Sequence, residues 1–132
     1  MMELSARTRE DYSNQFEALL KSDPYKSTEK ILYFFRTKKS FRRLKGESNI
    51  LYIGMSEKSF SDRYYPSRAF NLEMVFFETF YKHAIDLYGP ITIEVKQVEN
   101  PKYSEWEALA EYFDSHFEYP PRNRAIPNKP IG

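Results

Sequence analysis

The stretch Asn49-Ile-Leu-Tyr-Ile-Gly54 is an apolar run of strand-forming residues that stops at glycine, and Arg63 follows it within Phe60-Ser-Asp-Arg63. A strand ending in Tyr-Ile-Gly leaves the Tyr52 hydroxyl at a sheet end beside a backbone free to bend. An arginine held nearby can meet an anion there with paired hydrogen bonds. Together these residues outline a phosphate site. The charge distribution points the same way. The net charge is only +1, but residues 30–68 carry ten Lys or Arg against three Asp or Glu, and both flanks are acidic. Such a local excess suits a polyanionic ligand. Six of the ten cations, Arg36, Lys38, Lys39, Arg42, Arg43 and Lys45, fall in one short stretch. They are candidate phosphate contacts, with binding that weakens as salt rises. The alternative is ordinary solvated charge on a hairpin.

Composition removes several other chemistries. The chain has no cysteine, which excludes disulfides, thiolate nucleophiles and cysteine-based zinc sites and is compatible with a reducing compartment. Two histidines without further ligands make a poor metal site; His83 reads as a helix-surface residue and His116 as a satisfied helix-end residue. Charged residues at Arg7, Arg9, Glu10 and Asp11 interrupt the N-terminus, and no apolar run approaches the roughly 20 residues needed to cross a bilayer. A soluble, cytoplasmic protein with no membrane partner is expected. The 11 Tyr, 11 Phe and single Trp can stack on bases, though most belong in a core.

The 132 residues suit one domain. We divide it into an N-terminal helical extension (1–29), a core (30–124) and a tail (125–132). Tyr12, Phe16, Leu19 and Leu20 recur at helical spacing, and Thr8 precedes Asp11 as a cap, so residues 8–21 form an amphipathic helix. Lys30-Ile-Leu-Tyr-Phe-Phe35 reads as a buried strand and residues 49–54 as a second. The basic stretch between them is expected to be the long loop of a hairpin. A short helix follows over 59–66, then a longer one over 70–88 with Phe76, Phe77, Phe80, Ala84, Leu87 and Tyr88 apolar, stopped by Gly89-Pro90. Ile91-Thr-Ile-Glu-Val95 alternates as a third strand, a last helix spans 104–118, and the proline-rich tail lacks regular structure. The expected architecture is α+β, a three-stranded, mainly antiparallel sheet flanked by helices.

In this order the chain resembles the GIY-YIG nuclease superfamily over residues 30–124. The second signature triad is literal as Tyr52-Ile53-Gly54, and the first is altered to Ile31-Leu32-Tyr33, with isoleucine in place of glycine. Met55 stands where repair members often carry lysine, and the turn to Arg63 is one residue longer than the common spacing. Tyr88-Gly-Pro90 before an alternating strand is also common in such proteins. The resemblance implies a small endonuclease that hydrolyses DNA phosphodiesters with one Mg²⁺ or Mn²⁺. It implies that Tyr33 and Tyr52 position the attacking water, one of them serving as general base. Arg63 would neutralise charge on phosphorus, and Asn123 in Pro120-Pro-Arg-Asn-Arg124 would orient site groups or a phosphate.

The family also carries a metal-binding glutamate on the last helix, where this chain offers Glu105, Glu107 and Glu111. At about 100° per residue, Glu105 falls in the apolar arc with Leu109, Tyr112, Phe113 and Trp106, while Glu107 and Glu111 point away. A carboxylate turned toward a sheet is costly unless paired or bound to metal, so Glu105 is the expected ligand. Ser104-Glu-Trp-Glu107 reads as a capping box. No appended recognition domain is expected, so specificity is expected from the basic loop, the N-terminal helix, a second copy or a partner subunit. Two other readings stay open: a non-catalytic nucleic-acid-binding module on the same scaffold, and a protein-interaction domain whose basic loop meets an acidic partner.

Overall fold

The computed structural model describes residues 2–130. Helix α1 (Arg9–Leu20) starts where the Thr8 side chain accepts from the Asp11 backbone N–H at 3.2 Å, and Tyr12, Phe16, Leu19 and Leu20 are all buried. Ahead of it lies a strand the sequence does not announce. Strand β1 is only Glu3–Leu4, too short to show alternation, yet Leu4 is 1 % exposed and the pair joins the sheet. Its approach is fixed by Gln15, whose carboxamide oxygen accepts from the backbone of Ser5 at 2.9 Å and Ala6 at 3.1 Å. The sheet therefore has four strands rather than the expected three. Residues 3–20 pack into the main core, which contains Leu4, Tyr12 and Phe16.

Strands β2 (Ile31–Arg42), β3 (Glu47–Ser56) and β4 (Ile91–Gln97) complete it in the order β1-β4-β2-β3, antiparallel throughout. The basic stretch expected to be a long loop is mostly strand. Only residues 43–46 connect β2 to β3, closed by Gly46 at φ +70°. The strand continues because Thr37 and Phe41 are buried, Phe41 against the Tyr88 ring at 5.3 Å, and the register shifts around Arg36 accommodate the twist.

Helix α2 (Phe60–Tyr64) is capped reciprocally by Ser59 and Asp62. A continuous helical rod then runs as α3 (Ser67–Phe76), a π-helical turn at Phe77–Tyr81, and α4 (Lys82–Tyr88), ending at Gly89 with φ +86°. The wide turn sends Phe77 and Tyr81 inward, where Tyr12 stacks on Phe77 at 4.4 Å and Phe35 on Tyr81 at 5.5 Å. Leu87, expected on the apolar side, is 66 % exposed instead. Helix α5 (Pro101–His116) begins earlier than expected. Its cap is Asn100, which accepts from the Tyr103 N–H at 3.2 Å with Pro101 in the first turn, so Ser104 is not a cap. Residues 123–130 lack regular structure, as the prolines require.

Helices cover both faces of the sheet. Ile31, Tyr33 and Phe35 face the core shared with α1 and the helical rod, while Leu32, Phe34 and Ile53 pack with Leu109 and Tyr112 of α5. Tyr33 lies directly opposite Gly54 in register, its ring over the glycine. A Cβ at position 54 would fall 2.5 Å from the Tyr33 hydroxyl oxygen and 2.6 Å from Cε2, so only glycine fits there. Gly54→Ala is expected to cost about 1–3 kcal/mol of stability by overpacking, measured by urea denaturation; an unchanged midpoint and slope would contradict this packing.

Candidate active site

Strand β3 is an edge of the sheet, and its far side carries unpaired backbone groups that must find partners. The chain beyond α5 supplies them. The Arg122 N–H donates to the Leu51 carbonyl at 2.9 Å, and the Asn123 carboxamide accepts from Ile53 N–H and donates to Ile53 C=O, both at 3.0 Å. This strap flanks Tyr52 on either side in sequence. A groove of about 660 Å³ opens between it and α5, lined by Tyr52, Glu105, Arg122 and Asn123. A recess of about 180 Å³ adjoins it, lined by Tyr52, Arg63, Glu73, Phe76 and Arg122. Residues from β3, α2, α3, α5 and the strap thus meet around Tyr52.

The five residues singled out in the sequence fare differently. Tyr52, Glu105 and Asn123 share the groove, and Arg63, exposed beside the Tyr64 ring at 5.4 Å, shares the recess with Tyr52. Tyr33 lines neither. It is 1 % exposed, its hydroxyl is hydrogen-bonded to that of Tyr64 at 2.9 Å, and its ring lies 6.2 Å from Tyr52. Burial pushes the Tyr33 phenol well above its ordinary range. Asn123 has both ends of its carboxamide on Ile53, so it ties the strap down and has little left to offer a phosphate.

Glu105 is half-buried, whereas Glu107 and Glu111 are exposed. The buried arc of α5 is centred on Leu109 and Tyr112; Phe113, which helical phase places in the apolar arc, is exposed. Burial raises the Glu105 carboxyl above its ordinary value, and Arg63 opposes this. Among the described residues no hydrogen bond or ion pair engages its carboxylate, and no cluster of three or more acidic or histidine side chains forms a metal cage. A lone groove carboxylate fits a small hard cation that keeps several waters and takes its other ligands from substrate phosphate. Burial also raises Tyr52, with Glu105 and Glu73 adding to it and Arg122 and Arg63 opposing.

Two functional-site residues escaped the sequence reading. Arg122 donates from Nε to the Tyr81 hydroxyl at 3.1 Å and from Nη2 to Glu73 at 3.2 Å, with its guanidinium 3.5 Å from the Phe76 ring centroid and 4.4 Å from that of Tyr52. Glu73 is 2 % exposed, and its second carboxylate oxygen has no partner. Both were within reach of the sequence: Arg122 adjoins Asn123, and Glu73 precedes Phe76 and Phe77 by three and four residues. That is the same buried-stripe signal that selected Glu105.

The basic hairpin divides into two groups. Lys38, Lys39, Arg42 and Lys45 are exposed, the last over the Phe117 ring at 4.9 Å. Arg36 pairs with Glu94 at 3.1 Å and Asn49 at 2.9 Å, and Arg43 pairs with Glu118 at 2.9 Å and the Tyr119 carbonyl at 2.6 Å, so these two brace the fold. His83 is exposed on its helix, and His116 Nδ1 lies 2.9 Å from the Lys45 carbonyl. A separate cavity of about 270 Å³, walled mainly by Phe41, Leu51, Phe80, Leu87 and Tyr88, holds no carboxylate. No described helix is long and apolar enough to cross a membrane. No protein-family model, curated protein or solved structure matches the chain.

Burial lifts the Glu73 carboxyl from an ordinary 4.5 to about 7, against the pull of Arg122 and Arg63. The folded protein holds this proton more tightly than the unfolded chain does. The resulting stabilisation is complete below 4.5 and is lost as pH rises through about 7. Glu73→Gln removes that titration, so its melting temperature relative to wild type should increase between pH 5 and pH 8, followed by circular dichroism. A difference that stays flat over this window would show that Glu73 is ionised throughout.

Proposed function

We propose that this protein is a metal-dependent endonuclease that hydrolyses phosphodiester bonds in DNA, on a GIY-YIG-like scaffold. The observation that carries the reading is the gathering of Tyr52, Arg63 and Glu105, from β3, α2 and α5, around one groove and its adjoining recess. Glu105 would hold one Mg²⁺ or Mn²⁺, and the bound ion would act as a Lewis acid on a phosphate oxygen. Arg63, exposed and unpaired among the described residues, neutralises charge that develops on the phosphoryl oxygens. Tyr52 reaches the groove and orients the attacking water through its hydroxyl; Arg63 and Arg122 favour its ionised form against burial. Tyr33, sealed behind Tyr64, supports the sheet beneath Tyr52. Lys38, Lys39, Arg42 and Lys45 grip the phosphate backbone without reading sequence.

The burial of Tyr33 also favours a second reading, a nucleic-acid-binding module that has lost catalysis, because only one of the two triad tyrosines is open to the groove. A supercoiled-plasmid nicking assay with Mg²⁺ or Mn²⁺ decides between them. Wild type should nick, a chelator should stop it, and Arg63→Ala or Glu105→Gln should lower kcat by about 10²–10³-fold. Glu107→Ala, on the exposed face, should leave the rate unchanged. DNA binding without cutting favours the second reading, and neither binding nor cutting favours a protein-interaction domain. In titrations across ionic strength, replacing any one of Lys38, Lys39, Arg42 or Lys45 should reduce the slope of log affinity against log salt by about one. Arg36→Ala and Arg43→Ala should mainly lower stability, read as melting temperature.

A further inference from the structure

We propose that Arg122, braced by Glu73 and Tyr81, is a positioning residue that sets the orientation of the Tyr52 ring in the groove. Three separate contacts converge on Tyr52. The strap holds the backbone of the residue before it, through Arg122 N–H to Leu51 C=O at 2.9 Å, and of the residue after it, through Asn123 to both polar groups of Ile53 at 3.0 Å. The Arg122 guanidinium then lies against the ring itself at 4.4 Å, with Phe76 at 3.5 Å. The guanidinium is held in turn by its hydrogen bonds to the Tyr81 hydroxyl at 3.1 Å and to Glu73 at 3.2 Å. A planar, forked cation does this where a lysine cannot, because the same group stacks on rings and donates in fixed directions.

Stability alone is a weak reason to keep such a pair. The Arg122 and Glu73 side chains are 14 % and 3 % exposed, and one Glu73 oxygen is unpartnered. A buried ion pair replaced by apolar groups of similar volume is often neutral or stabilising, while breaking it on one side strands a charge. What the pair provides is a defined geometry at Tyr52, whose sister tyrosine in the first triad is shut away behind Tyr64. The catalytic consequence rests on the nuclease reading; the positioning itself does not.

The test replaces the pair together, Glu73→Gln with Arg122→Met, so that no buried charge is left uncompensated. Arg122→Lys, which keeps the charge and loses the fork, is made alongside. Fluorotyrosine is incorporated in each, the Tyr52 resonance being assigned by its loss in Tyr52→Phe, and plasmid nicking is measured in parallel. The paired variant should melt at or above the wild-type temperature while its Tyr52 fluorine resonance moves. Its kcat should fall about 10- to 100-fold with KM little changed, and Arg122→Lys should not restore it. A folded paired variant whose Tyr52 resonance and kcat match wild type overturns the inference. If wild type never nicks DNA but the Tyr52 resonance moves in Arg122→Lys, where the charge is kept, as well as in the paired variant, the positioning stands and the nuclease reading alone fails.

Discussion

The free edge of β3 is the constraint on which the site depends. Its outward backbone groups at Leu51 and Ile53 need partners, and no fifth strand provides them among the described residues. The strap after α5 meets the need with one backbone N–H and one side-chain carboxamide, the Asn123 amide standing in for a strand residue. Satisfying the edge in this way brings Arg122 against Tyr52 and turns the space between strap and α5 into a groove. A sheet-edge problem and a site-building problem thus have one answer.

Beneath the groove the sheet is held by a contact that admits no substitute. The Tyr33 ring occupies the volume a side chain at position 54 would need, and its hydroxyl finds Tyr64. Glycine in Tyr-Ile-Gly therefore serves close packing from the neighbouring strand, more than backbone bending at the strand end. The same packing removes Tyr33 from solvent. Isoleucine at position 31, 0 % exposed, continues the buried face in line with it.

The electrostatics of the groove are balanced around Tyr52. Arg63 and Arg122 favour its phenolate, and burial, Glu105 and Glu73 oppose it. Arg122 keeps its charge despite burial because Tyr81 and Glu73 outweigh the loss of water. Glu73 does not gain equally from the arrangement, since removal from solvent exceeds what Arg122 returns. The pair is thus asymmetric, a firmly charged arginine held by a carboxyl that is easily protonated.

The sequence by itself determined the elements with strong local signals. Helix α1 with its Thr8 cap, the short helix α2, the Gly89 stop and the alternating β4 all follow from periodicity and capping, which act within a few residues. It also selected Glu105 over Glu107 and Glu111, because helical phase is a local property. Tertiary structure decided the rest. Strand β1 is two residues long and exists only because β4 accepts it; the basic hairpin is strand because Phe41 reaches Tyr88; Asn100, rather than Ser104, caps α5. Which cations are free was equally a matter of partners far along the chain, Glu94 for Arg36 and Glu118 for Arg43. The pairing of Glu73 with Arg122, 49 positions apart, closes only when strap, rod and edge strand meet. Spacing along a sequence records which residues share a helix face; only the folded chain settles which buried charges find each other.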